Sequence, residues 1–246
     1  MKKSADHPAE NMTVLITAAG RGTRFGGDIN KQFTVLAGRP ILAWTIEAFH
    51  RLDWIENILL VVPEDWLEFV AVDIVDKFRF EKICKIIAGG KERQDSVYAG
   101  LQALEPSCEW VMIHDGVRLF IREKTVRAVF EEALKNDAAI VGFPSRDTIK
   151  RAGDSAVTGT EDRRHLWLVQ TPQVFRLSLI REAYQKAIRD RLLQTDDAGL
   201  VEHLGRSVKL VEGDYFNIKI TTPEDIRAAE KLLPLYFQNP GTTSPK

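Results

Sequence analysis

From Thr13 onward, short apolar and β-branched runs alternate with stretches whose apolar residues recur at helical spacing. The runs are Val14–Thr17, Ile58–Val62, Lys85–Ala88, Trp110–Ile113 and Ala139–Phe143, each bounded by turn or charged residues. Continuous apolar strands of this kind are buried on both faces. The pattern therefore predicts an α/β chain with a mostly parallel, twisted sheet and helices on both faces. Between the first two runs Pro40 is expected at a helix N1 position, followed by Leu42, Ile46 and Phe49. Val97, Leu101 and Leu104 predict a helix after the third run, and Val126, Val129, Phe130 and Ala133 another after the fourth. Near the end, Thr222-Pro223-Glu224-Asp225 combines an N-cap, a Pro at N1 and an acid at N3, so a helix should start there and run to about Leu233.

Ser145 to Arg164 breaks the alternation. It is polar, mixed in charge and punctuated by Gly153 and Gly159, which predicts a hairpin projecting from the sheet rather than a plain loop of that length.

Composition narrows the class. With 246 residues, 44% hydrophobic and 28% charged, the chain can bury one sizeable core, expected over residues 12–236. The ends, 1–11 and 238–246, lack periodicity and are expected to be flexible. A formal net charge of −1 provides no global cationic field, so neither nucleic acid nor a membrane is an expected partner. Two cysteines, Cys84 and Cys108, lack metal or redox spacing. Without an apolar run long enough for a signal peptide or a span, the expected location is cytoplasmic.

The first strand leads into Ala18-Ala19-Gly20-Arg21-Gly22-Thr23-Arg24-Phe25-Gly26, a turn of small residues where backbone can approach a ligand. The dinucleotide fingerprint needs Gly or Ala where Phe25 stands, and the common phosphate loop needs Gly-Lys before Ser or Thr, which neither Gly26-Gly27-Asp28 nor Gly90-Lys91-Glu92 supplies. What remains is a glycine turn flanked by Arg24 and Lys31, cations able to neutralise a triphosphate cradled by backbone N–H groups. Many such turns only join a strand to a helix, so its value lies in the motifs that accompany it.

Further segments fall where strand ends are expected: Gly89-Gly90-Lys91-Glu92-Arg93-Gln94-Asp95-Ser96-Val97, His114-Asp115-Gly116-Val117-Arg118, Thr171-Pro172-Gln173, Thr195-Asp196-Asp197-Ala198 and Asn217-Ile218-Lys219. Taken in order from Thr17 to Asp225, these motifs resemble those of the 2-C-methyl-D-erythritol 4-phosphate cytidylyltransferases over nearly the whole chain. The resemblance implies a Rossmann-like sheet, CTP and Mg²⁺ as reactants, a homodimer held by exchanged arms (145–165 here), and a place in non-mevalonate isoprenoid synthesis. By motif, Ala18, Ala19, Gly20, Arg24, Lys31, Gly89, Ser96, Asp115 and Gly116 would line the CTP site, with Asp115 also holding the metal. The polyol phosphate would use Asp115, Arg118, Thr171, Thr195 and Lys219, together with Thr148 and Arg163 from a partner's arm. Lys31, Arg24 and Lys219 would carry the catalytic charge. Asn30, Gly116-Val117, Leu119 and Gly199 depart from the family pattern, and none of these departures removes a charge.

Several of these residues also have plainer readings. Lys31 and Arg24 would be solvated cations in most loops, Asp115 a turn cap, and Thr195-Asp196-Asp197 an ordinary helix start. His114 continues a buried strand on the face opposite Asp115 and reads as structural. Among rival functions, ribitol 5-phosphate cytidylyltransfer shares the same charges. An NAD-dependent dehydrogenase lacks its acidic ribose ligand after Val61-Val62-Pro63, and a non-catalytic nucleotide-binding module would have no need of Asp115, Lys31 and Lys219 together.

Overall fold

The computed structural model describes residues 11–20 and 30–237. Arg24 and the rest of the glycine turn beyond Gly20 lie outside the described residues, as do the ends, apart from Asn11.

The chain runs β1 (Met12–Thr17), β2 (Val35–Leu36), β3 (Arg39–Pro40), α1 (Ile41–His50), β4 (Asn57–Val62), a short α2 (Leu67–Phe69) continued by a π-helical turn over Val70–Asp76, and β5 (Ile83–Ala88). Then come α3 (Arg93–Ala103), β6 (Trp110–Asp115), α4 (Glu123–Asn136), β7 (Ala138–Pro144), β8 (Lys150–Gly153), β9 (Ala156–Thr160) and β10 (Trp167–Arg176). Last are α5 (Leu177–Asp190), α6 (Ala198–His203), β11 (Lys209–Glu212) and α7 (Pro223–Tyr236).

Seven strands form one sheet in the order β11-β7-β10-β6-β1-β4-β5. All neighbours are parallel except β10, which lies antiparallel between β6 and β7. The expected strands are present, each lengthened by one or two residues, at one end for the first four and at both ends for the one over Ala138–Pro144. Their alternation explains the two-sided core: Val14 and Ile16 pack beneath α1 and α4, whereas Leu15 faces the layer holding Val97, Leu101, Ile180 and Tyr184. A third apolar cluster, with Ile41, Leu119, Phe120, Ile220 and Leu233, backs the segments that carry Arg118 and Lys219.

Three expectations shift. Pro40 is the extended residue before α1 rather than its first helical one, because it pairs with Val35 in the small β2–β3 ladder. The last helix passes Leu233 and ends at Tyr236, whose ring is buried and whose hydroxyl donates to Asp214 at 2.7 Å. Thr171-Pro172, expected at a strand end, lies instead within β10, where the register breaks between Val169 and Gln173 and the peptide bond is cis. The hairpin expected at 145–164 is present as β8 and β9, with most of its residues exposed.

Candidate active site

After β1 the chain goes to β4 and β5 on one side, then returns to place β6 on the other, so β1 and β6 flank a topological switch point. Open α/β sheets bind ligands beyond the carboxyl ends of such strands. Asp115 ends β6, paired with Thr17 at the end of β1, and the small turn Ala18–Gly20 follows beside it.

Two cavities meet here. One of about 140 Å³ is lined by Ala18, Ala19, Gly20, Lys31, Ser96 and Asp115 among others. The second, about 370 Å³, is lined by residues that include Arg118, Thr171 and Thr195. Arg93, Asp115 and Lys219 belong to both walls.

Close packing shapes the first cavity. Gln32 is buried and its Nε2 donates to the carbonyls of Ala18 at 2.6 Å and Gly20 at 3.2 Å, tying the Lys31–Phe33 turn back onto the glycine turn. Phe33 stacks on Trp66 at 4.4 Å and anchors the turn's other end. A methyl group at Gly89 would stand 2.2 Å from the Ala19 Cβ and 2.8 Å from Ser96 Oγ, and one at Gly116 would stand 2.8 Å from the Ala18 Cβ. These glycines let three segments close on one another rather than touching the cavity themselves. Ser96 Oγ accepts from Gly90 N at 3.1 Å and donates to Glu92 O at 3.0 Å, folding the Gly89–Glu92 turn onto α3.

Charge converges on Asp115, whose side chain is 8% exposed. Its Oδ1 accepts from Arg93 Nε at 3.2 Å, and its Oδ2 from Arg118 Nε at 3.2 Å and Lys219 Nζ at 2.9 Å. Burial disfavours the ionised carboxyl, but Arg93, Lys219 and Arg118 together outweigh it and hold Asp115 well below the usual carboxylate range. Burial likewise works against the charge of Arg93, and Asp197 with Asp115 more than offsets it, so the guanidinium is held charged above its ordinary value. Such strongly perturbed groups in a cleft are what a site handling charged substrates requires.

His114 is structural, as its strand position implied. It is fully buried, and its Nε2 lies 2.7 Å from the Arg118 carbonyl, which can only accept, so that nitrogen carries the proton. Nδ1 then accepts from the Thr171 hydroxyl at 3.1 Å, while Thr171 Oγ1 accepts from Asp115 N at 3.0 Å. Burial pushes His114 down to about 4, keeping it neutral.

Thr148 and Arg163 line neither cavity. Both are exposed in the arm, where Arg163 Nη1 donates to the Arg146 carbonyl at 2.6 Å. Four contributors carried no sequence signal of a role: Gln32, Arg93, Gln173 and Asp197. Arg93, Gln173 and Asp197 stood inside the quoted motifs, where Asp197 read as part of an ordinary helix start and the other two were given no role of their own. The plain reading of 195–197 holds in part, since Asp196 Oδ1 accepts from Gly199 N at 3.1 Å at the start of α6.

For a metal, no group of three or more His, Cys, Asp or Glu side chains is assembled among the described residues. Asp115 offers a single carboxylate with both oxygens already accepting from cations. That donor set suits only an ion that brings most of its own oxygen ligands, as magnesium does when it travels with phosphates.

A family model described as 2-C-methyl-D-erythritol 4-phosphate cytidylyltransferase matches residues 12–234. Curated proteins of that name from Geotalea uraniireducens and Halalkalibacterium halodurans are 47% and 48% identical, each over 90% of this chain and 96% of the relative. Among solved structures, the 4-diphosphocytidyl-2C-methyl-D-erythritol synthase of Anaerococcus prevotii superposes with a TM-score of 0.79 at 35% identity, covering 90% of this chain and 95% of that one. The 2-C-methyl-D-erythritol 4-phosphate cytidylyltransferase of Thermus thermophilus gives 0.75 at 34%, covering 89% and 97%.

Proposed function

The chain belongs to the 2-C-methyl-D-erythritol 4-phosphate cytidylyltransferases, and from that membership we infer how its two cavities divide the work. It transfers a cytidylyl group from CTP to 2-C-methyl-D-erythritol 4-phosphate, releasing pyrophosphate, in the non-mevalonate route to isoprenoid precursors. The cavity at Ala18–Gly20, Lys31 and Ser96 takes CTP, and the one at Arg118, Thr171 and Thr195 takes the polyol phosphate. The observation that carries this division is the shared wall: Arg93, Asp115 and Lys219 face both sides, where the attacking oxygen must meet the α-phosphorus.

A phosphate oxygen of the polyol attacks the α-phosphorus in line as the bond to the β-phosphate oxygen breaks, and no covalent enzyme intermediate is needed. Two anions must be brought together, so the barrier is largely electrostatic. Lys31, on the turn that Gln32 fastens to the glycine loop, neutralises the α-phosphate, and Arg24 serves the outer phosphates. Lys219 and Arg118 hold the attacking phosphate, and Asp115 keeps their head groups spaced and oriented until substrate arrives. Of the protein's side chains, Asp115 would hold a magnesium ion that arrives with the triphosphate, and the ion would supply charge neutralisation for the pyrophosphate group.

Thr148 and Arg163 are assigned to the polyol phosphate of a partner subunit. Their position in the exposed β8–β9 arm, outside both cavities of their own chain, supports this, as do the exposed apolar side chains of Val157, Leu168 and Val169 in and beside the arm. The unit is then a homodimer joined through residues 145–165, working in the cytoplasm.

The decisive experiment is a pyrophosphate-release screen of the four nucleoside triphosphates against 2-C-methyl-D-erythritol 4-phosphate and ribitol 5-phosphate. Fastest turnover for CTP with the methylerythritol phosphate is expected. Faster turnover of the ribitol compound would overturn the assignment of the second cavity.

A further inference from the structure

Arg93 stands in the wall common to the two cavities, gripped at two points. Nε donates to Asp115 at 3.2 Å, and Nη2 donates to Asp197 Oδ2 at 2.8 Å. Asp197 is 1% exposed, and its other oxygen accepts from the Tyr184 hydroxyl at 2.6 Å. Tyr184, buried in α5, stacks on Tyr98 of α3 with ring centroids 5.9 Å apart. From the opposite side, Gln173 on β10 fixes the same loop: its Oε1 accepts from Asp197 N and Ala198 N, each at 3.1 Å, and its Nε2 donates to Asp196 Oδ2 at 2.8 Å. A buried carboxylate engaged through both oxygens is costly to leave unpaired, so the assembly favours one geometry. Thr195 sits two residues before this clamp and lines the second cavity with Arg93 and Asp115.

We propose that Asp197 and Tyr184 are positioning residues that lock the Thr195–Asp196 loop to Arg93, so that the seat of the polyol phosphate is set by a side chain of the CTP wall. The planar guanidinium is what permits this, because it reaches two carboxylates at once in a fixed fork, whereas an ammonium would act as a single point charge. The inference rests on reading the Thr195 cavity as the polyol phosphate subsite.

The test is steady-state pyrophosphate release by the full-length chain with each substrate varied in turn, for Tyr184→Phe, Asp197→Asn, Arg93→Lys and Thr195→Val, with thermal midpoints measured alongside. Tyr184→Phe keeps the ring and its stacking and loses only the hydroxyl, so it carries the test even where Asp197→Asn folds poorly. Tyr184→Phe should raise the KM for the polyol phosphate about threefold and Asp197→Asn about tenfold or more, while the KM for CTP changes by less than about twofold in both. Arg93→Lys, which also alters the CTP wall, should raise the polyol KM about tenfold or more. Residues that only support the fold would lower kcat through the active fraction and leave both KM values alone. That outcome overturns the proposal, as does an equal rise in the two KM values. Thr195→Val separates the layers of the argument. A raised polyol KM there, with none in Tyr184→Phe and Asp197→Asn, removes the coupling alone, whereas no change in any of the three removes the subsite assignment as well.

Discussion

Asp115 is surrounded by three cations, and the arrangement has a direct cost when it is altered. Removing its charge leaves Arg93, Arg118 and Lys219 without their common acceptor, and removing Lys31 takes away a cavity-lining charge, the one assigned to the α-phosphate in the proposed reaction. Lys31→Ala and Asp115→Asn should each lower kcat by roughly a hundredfold or more in a pyrophosphate-release assay, as loss of a transition-state charge contact does. Near-wild-type rates would remove those roles. Gly89→Ala drives a methyl into Ala19 and Ser96 and should raise the KM for CTP, read in the same assay. His114 predicts a pH effect whose sign follows from burial. Folded, it titrates near 4, and unfolded near 6.5, so between those values the unfolded chain binds the extra proton. Its contribution is complete above about pH 6.5 and is lost as pH falls toward 4, by up to about 3 kcal/mol. Urea midpoints should drop across that window, and His114→Asn should flatten the slope. At this scale, Asp115 was legible as a charge at a strand end followed by Gly116, and Lys31 and Lys219 through the motifs in which they stand. Arg93 and Asp197 were not, since they meet across 104 positions of sequence and nothing local to either marks the other.

Elements divide the same way. The last helix was legible in full at its start: Thr222 Oγ1 accepts from Asp225 N at 3.4 Å, and Asp225 Oδ2 accepts from Thr221 N and Thr222 N at 2.7 and 2.8 Å. Because that cap follows Lys219 so closely, it also fixes where the lysine emerges. Thr222→Ala should destabilise the fold by about 1 kcal/mol in chemical denaturation, and the KM for the polyol phosphate should rise with it. By contrast, β10 did not announce itself. A proline inside an apolar run argues against a central strand, since it cannot donate to the ladder. Here Pro172 falls where the register between β10 and β7 shifts, and the flanking residues resume pairing on both sides. The amphipathic α5 and the short β11, which pairs with β7, were also absent from the expected elements.

For the whole molecule, the parallel core and its switch point were readable from the order of apolar runs, whereas the second cavity depended on β10, whose Val169, Gln170, Thr171 and Gln173 line it. The arm assignment leads to a complementation experiment. If Arg163 serves a partner's site, a heterodimer of Lys31→Ala and Arg163→Ala subunits contains one intact site, so mixing and refolding the two inactive proteins should restore about a quarter of wild-type activity. No recovery would mean that each subunit completes its own site.

The antiparallel wedge formed by β10 has one more consequence, for the chain during its synthesis. Residues 12–115 hold the first four strands of the sheet, yet one flank of β6 cannot be covered until residues 167–176 arrive, more than fifty positions later. Throughout that interval a nascent chain on the ribosome carries an open row of amide and carbonyl groups, a surface on which strands of other molecules can grow. Any pause in translation between those two points lengthens the exposure, and the yield of soluble protein should track the speed at which that stretch is made.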